Sequence, residues 1–181
     1  MSIVVPIGNT VLLHVCCGVC LGWPVHKLRD EGYCVVGYFF NPNIYPKEEC
    51  IKRLDAAKQI AQSLEMELIE GEYDHEKWLK AVAGLESEKE GGKRCEVCFS
   101  FRLDAAHKKA QEIGTRKFAS TLSVSPHKDH AVVSKTGKGI NDKKFLDIDF
   151  KKEDGFKKTR DLARQHCLYC QNYCGCEFSV R

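Results

Sequence analysis

Short apolar runs alternate with amphipathic segments along most of the chain, and this alternation most constrains its fold. The runs predicted as strands are residues 11–15, 35–40, 66–69, 118–122 and, more weakly, 145–148. The segments predicted as helices are residues 24–29, 47–64, 75–83, 99–113, 125–136 and 157–165. Strands separated by helices usually pair in parallel. The sequence therefore predicts an α/β fold with a Rossmann-like (HUP-like), mostly parallel sheet flanked by helices.

The length of the chain and the position of its first cysteines add two expectations. At 181 residues, the chain is expected to form one α/β domain over residues 1–181, with a cysteine-rich metal-binding tail at about residues 165–178 packed on it. Ligands bind beyond the carboxyl ends of strands in such sheets. Because Cys16 to Cys20 follow the first predicted strand directly, this segment is expected at the ligand-binding edge.

Eleven cysteines are unusual for a chain of this length, and their meaning depends on the compartment. The N-terminus lacks a basic region, and Pro6, Gly8 and Asn9 interrupt its apolar run, so no secretion signal is predicted. No apolar stretch reaches the roughly 20 residues of a membrane span. We therefore expect a cytoplasmic protein, in which clustered thiols indicate metal or redox chemistry. The net charge of +3 permits an RNA partner without requiring one.

Most of the cysteines fall in three clusters with short, repeated spacings. The clusters are Cys16, Cys17 and Cys20; Cys95 and Cys98; and Cys167, Cys170, Cys174 and Cys176. Burial as small apolar residues does not produce such spacings, so the clusters are interpreted as functional. Cys34 and Cys50 stand apart, and each is interpreted as a small buried apolar residue.

The first two clusters together are predicted to hold an iron–sulfur cluster. Cys95 and Cys98 lie between a glycine-rich loop and a predicted helix, where free backbone N–H groups favour thiolate. Closed zinc sites commonly use separated Cys-x-x-Cys pairs, whereas an iron–sulfur cluster can accept two adjacent thiolates and a distant pair. The predicted ligands are Cys16, Cys17, Cys95 and Cys98. Cys20 is predicted to be a further metal ligand or a catalytic thiol.

The C-terminal cysteines give a separate signal. The glycine between Cys174 and Cys176 allows a strained disulfide, and strained disulfides are labile. The pair is therefore interpreted as a redox-active dithiol in preference to a metal ligand pair. Cys167 and Cys170 form another Cys-x-x-Cys pair, to which the sequence assigns no role.

Several polar residues each allow a structural and a functional interpretation. His14 lies inside an apolar strand and is interpreted as a hydrogen-bonded core histidine. The hydroxyl residues at 120, 121, 123 and 125 fit either turn chemistry or a hydroxylated substrate. The basic segment 143–164 is interpreted as a solvated face, with phosphate binding as the alternative.

The cysteine motifs, taken in order, resemble the cobalamin-independent epoxyqueuosine reductases of the QueH type. The resemblance rests on segments 14–20, 94–98 with 102–103, 121–126 and 171–176, and it extends over residues 11 to about 179. It implies a Rossmann-like fold, a [4Fe–4S] cluster that allows an adjacent iron ion, and a redox-active disulfide between Cys174 and Cys176. Two positions depart from the family pattern. Val19 replaces a common proline, and Cys170 replaces a common arginine that could contact phosphate or the cluster.

The resemblance also implies a reaction, the reduction of epoxyqueuosine in tRNA to queuosine. Removal of an epoxide oxygen as water consumes two electrons and two protons. A cluster can deliver electrons singly, an iron with an open position can polarise the oxygen as a Lewis acid, and a dithiol can store two electrons. An electron-donor protein or another reductant is required, and Asp149 and Tyr173 are candidate proton donors.

Two other function classes compete with this interpretation. A thioredoxin-like thiol oxidoreductase would use Cys17 and Cys20 between a strand and a helix, leaving the other cysteines without a role. A non-catalytic, zinc-stabilised RNA-binding domain would use the basic C-terminal segment. An ATP-using tRNA thiolase is disfavoured, because no glycine-rich phosphate loop follows the first strand.

Overall fold

Four parallel strands form the sheet, in the order β3-β2-β1-β4. The structure, a computed structural model, describes residues 9–179, so the N-terminal residues Pro6 and Gly8 of the targeting argument lie outside it. The strands are β1 (Thr10–Val15), β2 (Cys34–Phe39), β3 (Leu68–Glu70) and β4 (Lys117–Ser120). The predicted α/β fold with a parallel sheet is confirmed.

Helices connect and cover these strands. They are α1 (Gly22–Asp30), α2 (Lys47–Ser63), α3 (His75–Ala81), α4 (Lys93–Glu112), α5 (His130–Asn141) and α6 (Gly155–Gln165). Helix α1 packs on α6 and β2, and α4 packs on β1, β4 and α5. Among residues 9–179, none of the helices has both the length and the apolar character needed to span a bilayer.

Strand β1 lies at the centre of the core, and all six of its residues are buried. A strand covered on both faces is continuously apolar rather than alternating, as the run from Val11 to Leu13 shows. His14 interrupts this run, but its ring nitrogens pair with Ser120 Oγ at 2.9 Å and with the Phe40 carbonyl at 3.1 Å. Burial, followed by the charge of Arg102, lowers the pKa of His14 to about 4. The interpretation of His14 as a core histidine is confirmed.

Helix α4 begins at Lys93, earlier than the predicted start at residue 99. Its N-cap, Gly92, has no side chain that could signal a helix start. A tertiary contact fixes this end instead, because the buried Arg94 guanidinium donates to the carbonyls of Leu85 and Glu86. Cys95 and Cys98 therefore lie within the first two turns of the helix.

Helix α5 begins later than predicted and continues past Gly137, so the predicted helix end there is wrong. The Asp129 carboxylate caps the helix by accepting from Ala131 N at 2.8 Å. A Cβ at Gly137 would lie 2.5 Å from the Phe145 ring, so this glycine serves close packing. The predicted fifth strand is reduced to an isolated parallel bridge between Phe118 and Phe145.

The two isolated cysteines differ in burial. Cys50 is 7% exposed, as predicted for a small core residue. Cys34 is exposed, so its interpretation as a buried residue is wrong. It occupies the first position of β2, where the strand emerges from the core.

Candidate metal and thiol site

A cleft of about 980 Å³ lies at the carboxyl ends of the strands. Its walls come from the segments that follow β1, β2 and β4, together with α6 and the C-terminal tail. Cys16 and Cys20 line it from the first of these segments, and Cys174 lines it from the tail. This is the edge at which the sequence predicted ligand binding.

The sulfurs of Cys16, Cys17 and Cys20 form one group, all lying within 4.8 Å of one another. All three residues are buried. The loop that carries them lies directly against α2, since a Cβ at Gly18 would stand 2.5 Å from the Ala56 carbonyl carbon. We name these residues the three-thiol group.

Thr121 fixes the first member of this group. The Cys16 backbone N–H donates to Thr121 Oγ1 at 3.0 Å, and the same hydroxyl donates to Cys16 Sγ at 3.2 Å. The sequence had left the hydroxyl residues after β4 open between turn chemistry and substrate binding. For Thr121 the structure gives a third role, because its hydroxyl contacts Cys16 of the three-thiol group.

Protonation differs sharply within the three-thiol group. Hydrogen bonds from Cys17 and Cys20 hold the pKa of the Cys16 thiol well below its usual range, against the effect of burial. The hydrogen bond to Cys16, together with burial, raises the pKa of Cys17 to about 12, and the pKa of Cys20 is also raised. A metal that binds all three sulfurs must therefore displace the protons of Cys17 and Cys20.

Cys95 and Cys98 lie outside the three-thiol group. Within residues 9–179, that group is the one set of three or more potential ligand residues whose donor atoms lie within 4.8 Å of each other. Cys98 is 5% exposed, and the half-buried Cys95 accepts from Gly91 N at 3.2 Å. Burial raises the pKa of Cys95 and outweighs the Gly91 N–H and the Arg94 charge, which both act in the predicted direction, toward thiolate.

A chain of hydrogen bonds joins Cys98 to the end of β1. The buried Arg102 donates from Nε to the Cys98 carbonyl at 3.3 Å and from Nη1 to Asn41 Oδ1 at 3.4 Å. Asn41 in turn donates from Nδ2 to the Val15 carbonyl at 2.8 Å. Arg102 therefore stands between the two cysteine segments.

Two cations face the thiols of several segments. Burial opposes the charge of Arg102, but the sulfurs of Cys98, Cys174, Cys16 and Cys95 outweigh burial and raise its pKa. Burial likewise opposes the charge of Lys128, whose pKa is raised by Cys174, Cys16 and Cys20. The spacing of the motifs gave no indication of Lys128, which approaches only through the turn after β4.

The last two of the four cysteines in the tail differ in burial. Cys176 is 6% exposed and packs in a small cluster with Trp78, Val82 and Cys98. Cys174 is half-buried, packs against the same cluster and lines the cleft. Both are free thiols, and burial raises the pKa of Cys176 to about 11. Gly175 between them has φ +104°, a conformation that favours glycine.

Arg53 of α2 holds this tail, and sequence reasoning missed it. It is 2% exposed, forms a 2.7 Å ion pair with Glu49, and donates to the carbonyls of Cys174 at 3.0 Å and Tyr173 at 3.2 Å. Glu49 also accepts from the Tyr169 hydroxyl at 2.7 Å. A Glu and an Arg four residues apart on a helix usually form an exposed pair, so the sequence carried no signal of this burial.

The candidate proton donors occupy different places. Tyr173 lines the cleft and donates its hydroxyl proton to the Tyr45 carbonyl at 2.7 Å. Asp149 is not among the residues that line the cleft, and it accepts from Lys151 N at 3.1 Å.

Cys167 and Cys170 take no part in the three-thiol group. Both are exposed, and Cys170 lines the cleft. Cys167 has φ +51° directly after the end of α6.

The donor set fits a thiolate-bound metal centre. The three-thiol group is buried, all its donors are sulfur, and the cations Arg102 and Lys128 offset negative charge beside it. Soft thiolate donors select zinc, Cu(I) and iron–sulfur clusters.

Comparison with known proteins identifies a family for this chain. The family model described as epoxyqueuosine reductase QueH matches residues 11–181. Relatives named epoxyqueuosine reductase QueH include one from Streptococcus pyogenes serotype M1, 34% identical over 181 residues, which cover 95% of this chain and 71% of the relative. One from Thermotoga maritima is 37% identical over 178 residues, covering 95% of this chain and 91% of the relative. One from Helicobacter pylori is 37% identical over 181 residues, covering 94% of this chain and 49% of the relative.

Proposed function

The chain belongs to the epoxyqueuosine reductase QueH family, and on that premise we propose that it reduces epoxyqueuosine in tRNA to queuosine with an iron–sulfur cluster. Membership makes it an oxidoreductase of the epoxyqueuosine reductase type. It also favours this activity over a thioredoxin-like thiol oxidoreductase or a non-catalytic zinc-stabilised domain. A tRNA substrate would place the activity in the cytoplasm.

One observation carries the proposal. Thiols from the loop after β1 and from the C-terminal tail face the same cleft, beside Arg102 and Lys128. Reduction of an epoxide needs a source of electrons beside the substrate, and thiols or thiolate-bound metals are the groups of this chain that can supply them.

The proposed ligands of a [4Fe–4S] cluster are Cys16, Cys17, Cys95 and Cys98. Cys16 and Cys17 belong to the three-thiol group, and the Arg102 hydrogen bonds link Cys98 to the end of β1. Cys20, the third member of the group, is proposed as a ligand of an additional iron ion or as a catalytic thiol. Such a cluster supplies single electrons, and an iron with an open position supplies a Lewis acid.

The tail is proposed to complete the electron and proton supply. Oxidation of the Cys174 and Cys176 thiols to a disulfide releases two electrons and two protons, the number consumed when an epoxide oxygen leaves as water. A donor protein or chemical reductant must then reduce the disulfide again. Of the two proposed acids, Tyr173 has the better position, because it lies on the cleft. Burial raises the pKa of Tyr173, so the phenol stays protonated.

The direct test is turnover of tRNA carrying epoxyqueuosine under anaerobic conditions with a chemical reductant. The wild-type protein should form queuosine, and the Cys95→Ala/Cys98→Ala double variant should lose this activity. Cys34→Ala is the control, since Cys34 is exposed and does not line the cleft. Full activity in the double variant would exclude the proposed ligands, and activity of a metal-free protein on disulfide substrates alone would favour the thioredoxin-like alternative.

A further inference from the structure

Two exposed aromatic rings lie on the cleft that contains the thiols. Among residues 9–179, the large hydrophobic side chains that remain exposed are Tyr45 (47%), Ile51 (47%), Phe156 (41%) and Tyr169 (39%). Tyr45 and Phe156 line the cleft, whereas Ile51 and Tyr169 do not. Both rings therefore lie where a ligand that enters the cleft can contact them.

The Tyr45 ring is held in place before any ligand binds. Its backbone N–H donates to the Gly175 carbonyl at 2.8 Å, and its own carbonyl accepts from the Tyr173 hydroxyl at 2.7 Å. The ring stacks on His75, with centroids 5.2 Å apart, and His75 is itself hydrogen-bonded to Glu177 at 2.7 Å. A ring fixed in this way loses little entropy when a planar group stacks on it.

Phe156 is accompanied by a cation. Phe156 and Arg160 stand four residues apart on α6, on the same face of the helix, and both line the cleft. The other cations on the cleft wall are Arg53, Arg102 and Lys128, against the acids Glu90 and Glu177. Of these, Arg53 and Arg102 are buried and already bonded within the protein.

We propose that Tyr45 and Phe156 are stacking platforms for unpaired nucleotides next to the modified nucleotide of the RNA, and that Arg160 binds a phosphate between them. The inference rests on the proposed tRNA substrate and adds the residues that bind it. Single-stranded nucleic acids are held by this combination of aromatic platforms and cations. A nucleotide whose base enters a cleft must leave its stack, and its neighbours then need new stacking partners.

The test measures the dissociation constant of the metal-loaded protein for the fluorescently labelled tRNA by anisotropy. Tyr45→Ala and Phe156→Ala should each weaken binding roughly 5- to 150-fold, the range for loss of one stacked base. Tyr45→Phe should bind as the wild type does, because it keeps the ring. Ile51→Ala should also leave the affinity unchanged, as it removes an equally exposed apolar side chain away from the cleft.

Salt dependence tests the third residue separately. Arg160→Ala should reduce the slope of log affinity against log salt concentration by about 0.7 to 1, the value for one lost phosphate contact. Turnover at saturating tRNA should fall much less than affinity in all three variants, because none of these side chains is placed at the reacting atoms.

Three results have distinct meanings. Wild-type affinity in both Tyr45→Ala and Phe156→Ala would overturn the inference and leave the proposed function standing. Wild-type affinity combined with slower reduction by a donor protein would also overturn it, and would assign the rings to a protein partner. If the wild-type protein turned over no tRNA and bound none, the proposed function would fail, and the inference with it.

Discussion

At the scale of single residues, Arg53 holds the cysteine tail from inside α2. Its guanidinium donates to the carbonyls of Tyr173 and Cys174. The guanidinium carbon also lies over the Tyr173 ring, 5.0 Å from the ring centroid. A Cβ at Gly175 would lie 2.9 Å from Arg53 Nη1. The buried ion pair of Arg53 with Glu49 therefore helps to hold the tail conformation that presents Cys174 to the cleft.

Arg53→Gln should destabilise the protein and loosen the tail. The Glu49 carboxylate would remain buried without its cation, which costs about 3 kcal/mol of unfolding free energy. Urea denaturation measures that loss, and faster alkylation of Cys174 in the folded protein measures the loosening. Arg164→Gln is the control, because its ion pair with Asp161 is exposed on both sides and its loss should cost less than about 1 kcal/mol. Equal losses in the two variants would contradict a tail-holding role.

At the scale of elements, the loop after β1 owes its position to contact with α2. Gly18 leaves no room for a side chain, since a Cβ would lie 2.5 to 2.7 Å from backbone atoms of Ala56 and Ala57. Backbone atoms of a packed helix cannot move aside as a flexible side chain can. The three-thiol group is therefore fixed by the helix behind it.

Gly18→Ala should displace the loop, cost roughly 1 to 3 kcal/mol of stability and reduce the metal content of the purified protein. Gly139→Ala is a matched control in the last turn of α5, where a Cβ meets no atom within 4 Å. That substitution should stabilise the protein by up to about 1 kcal/mol, because alanine favours helix over glycine. Thermal unfolding and metal analysis check both variants, and unchanged metal content in Gly18→Ala would contradict the account of the loop.

The elements that the sequence predicted well are those defined by local pattern. Strand β1 and helix α2 follow from apolar periodicity, and their bounds differ little from the expected ones. The starts of α4 and α5 could not be read in this way. Arg94 bonds loop carbonyls at the start of α4, and the Asp129 carboxylate caps α5 later than the predicted start at residue 125. These helix ends depend on contacts that apolar periodicity does not show.

At the scale of the whole molecule, the candidate site exists only because distant segments meet. Local spacing identified Cys16, Cys95 and Cys174 as parts of motifs, but it could not place Lys128 or Arg53 beside them. Those side chains arrive through the sheet topology and the return of the tail onto α2. The cysteines of the site could be predicted from sequence, whereas the positions of the cations around them could be known only from the fold.

We propose that residues 9–179 unfold as one cooperative unit. The small cluster around Trp78 joins α3, α4 and the tail, and α4 also packs on the central strand. In a Trp23→Phe variant, fluorescence of the remaining Trp78 and far-ultraviolet circular dichroism should give superimposable urea transitions. An earlier fluorescence transition would show that this cluster unfolds separately from the sheet.

Iron and acid-labile sulfide analysis of anaerobically prepared protein tests most directly whether the distant cysteines share one inorganic centre. The wild-type protein should contain about four sulfide and about four iron ions per chain, or about five iron ions where Cys20 holds an additional one. Variants Cys17→Ala and Cys98→Ala, which alter different segments, should each lose most of both. Zinc without labile sulfide, or undiminished iron and sulfide in Cys98→Ala, would contradict this account.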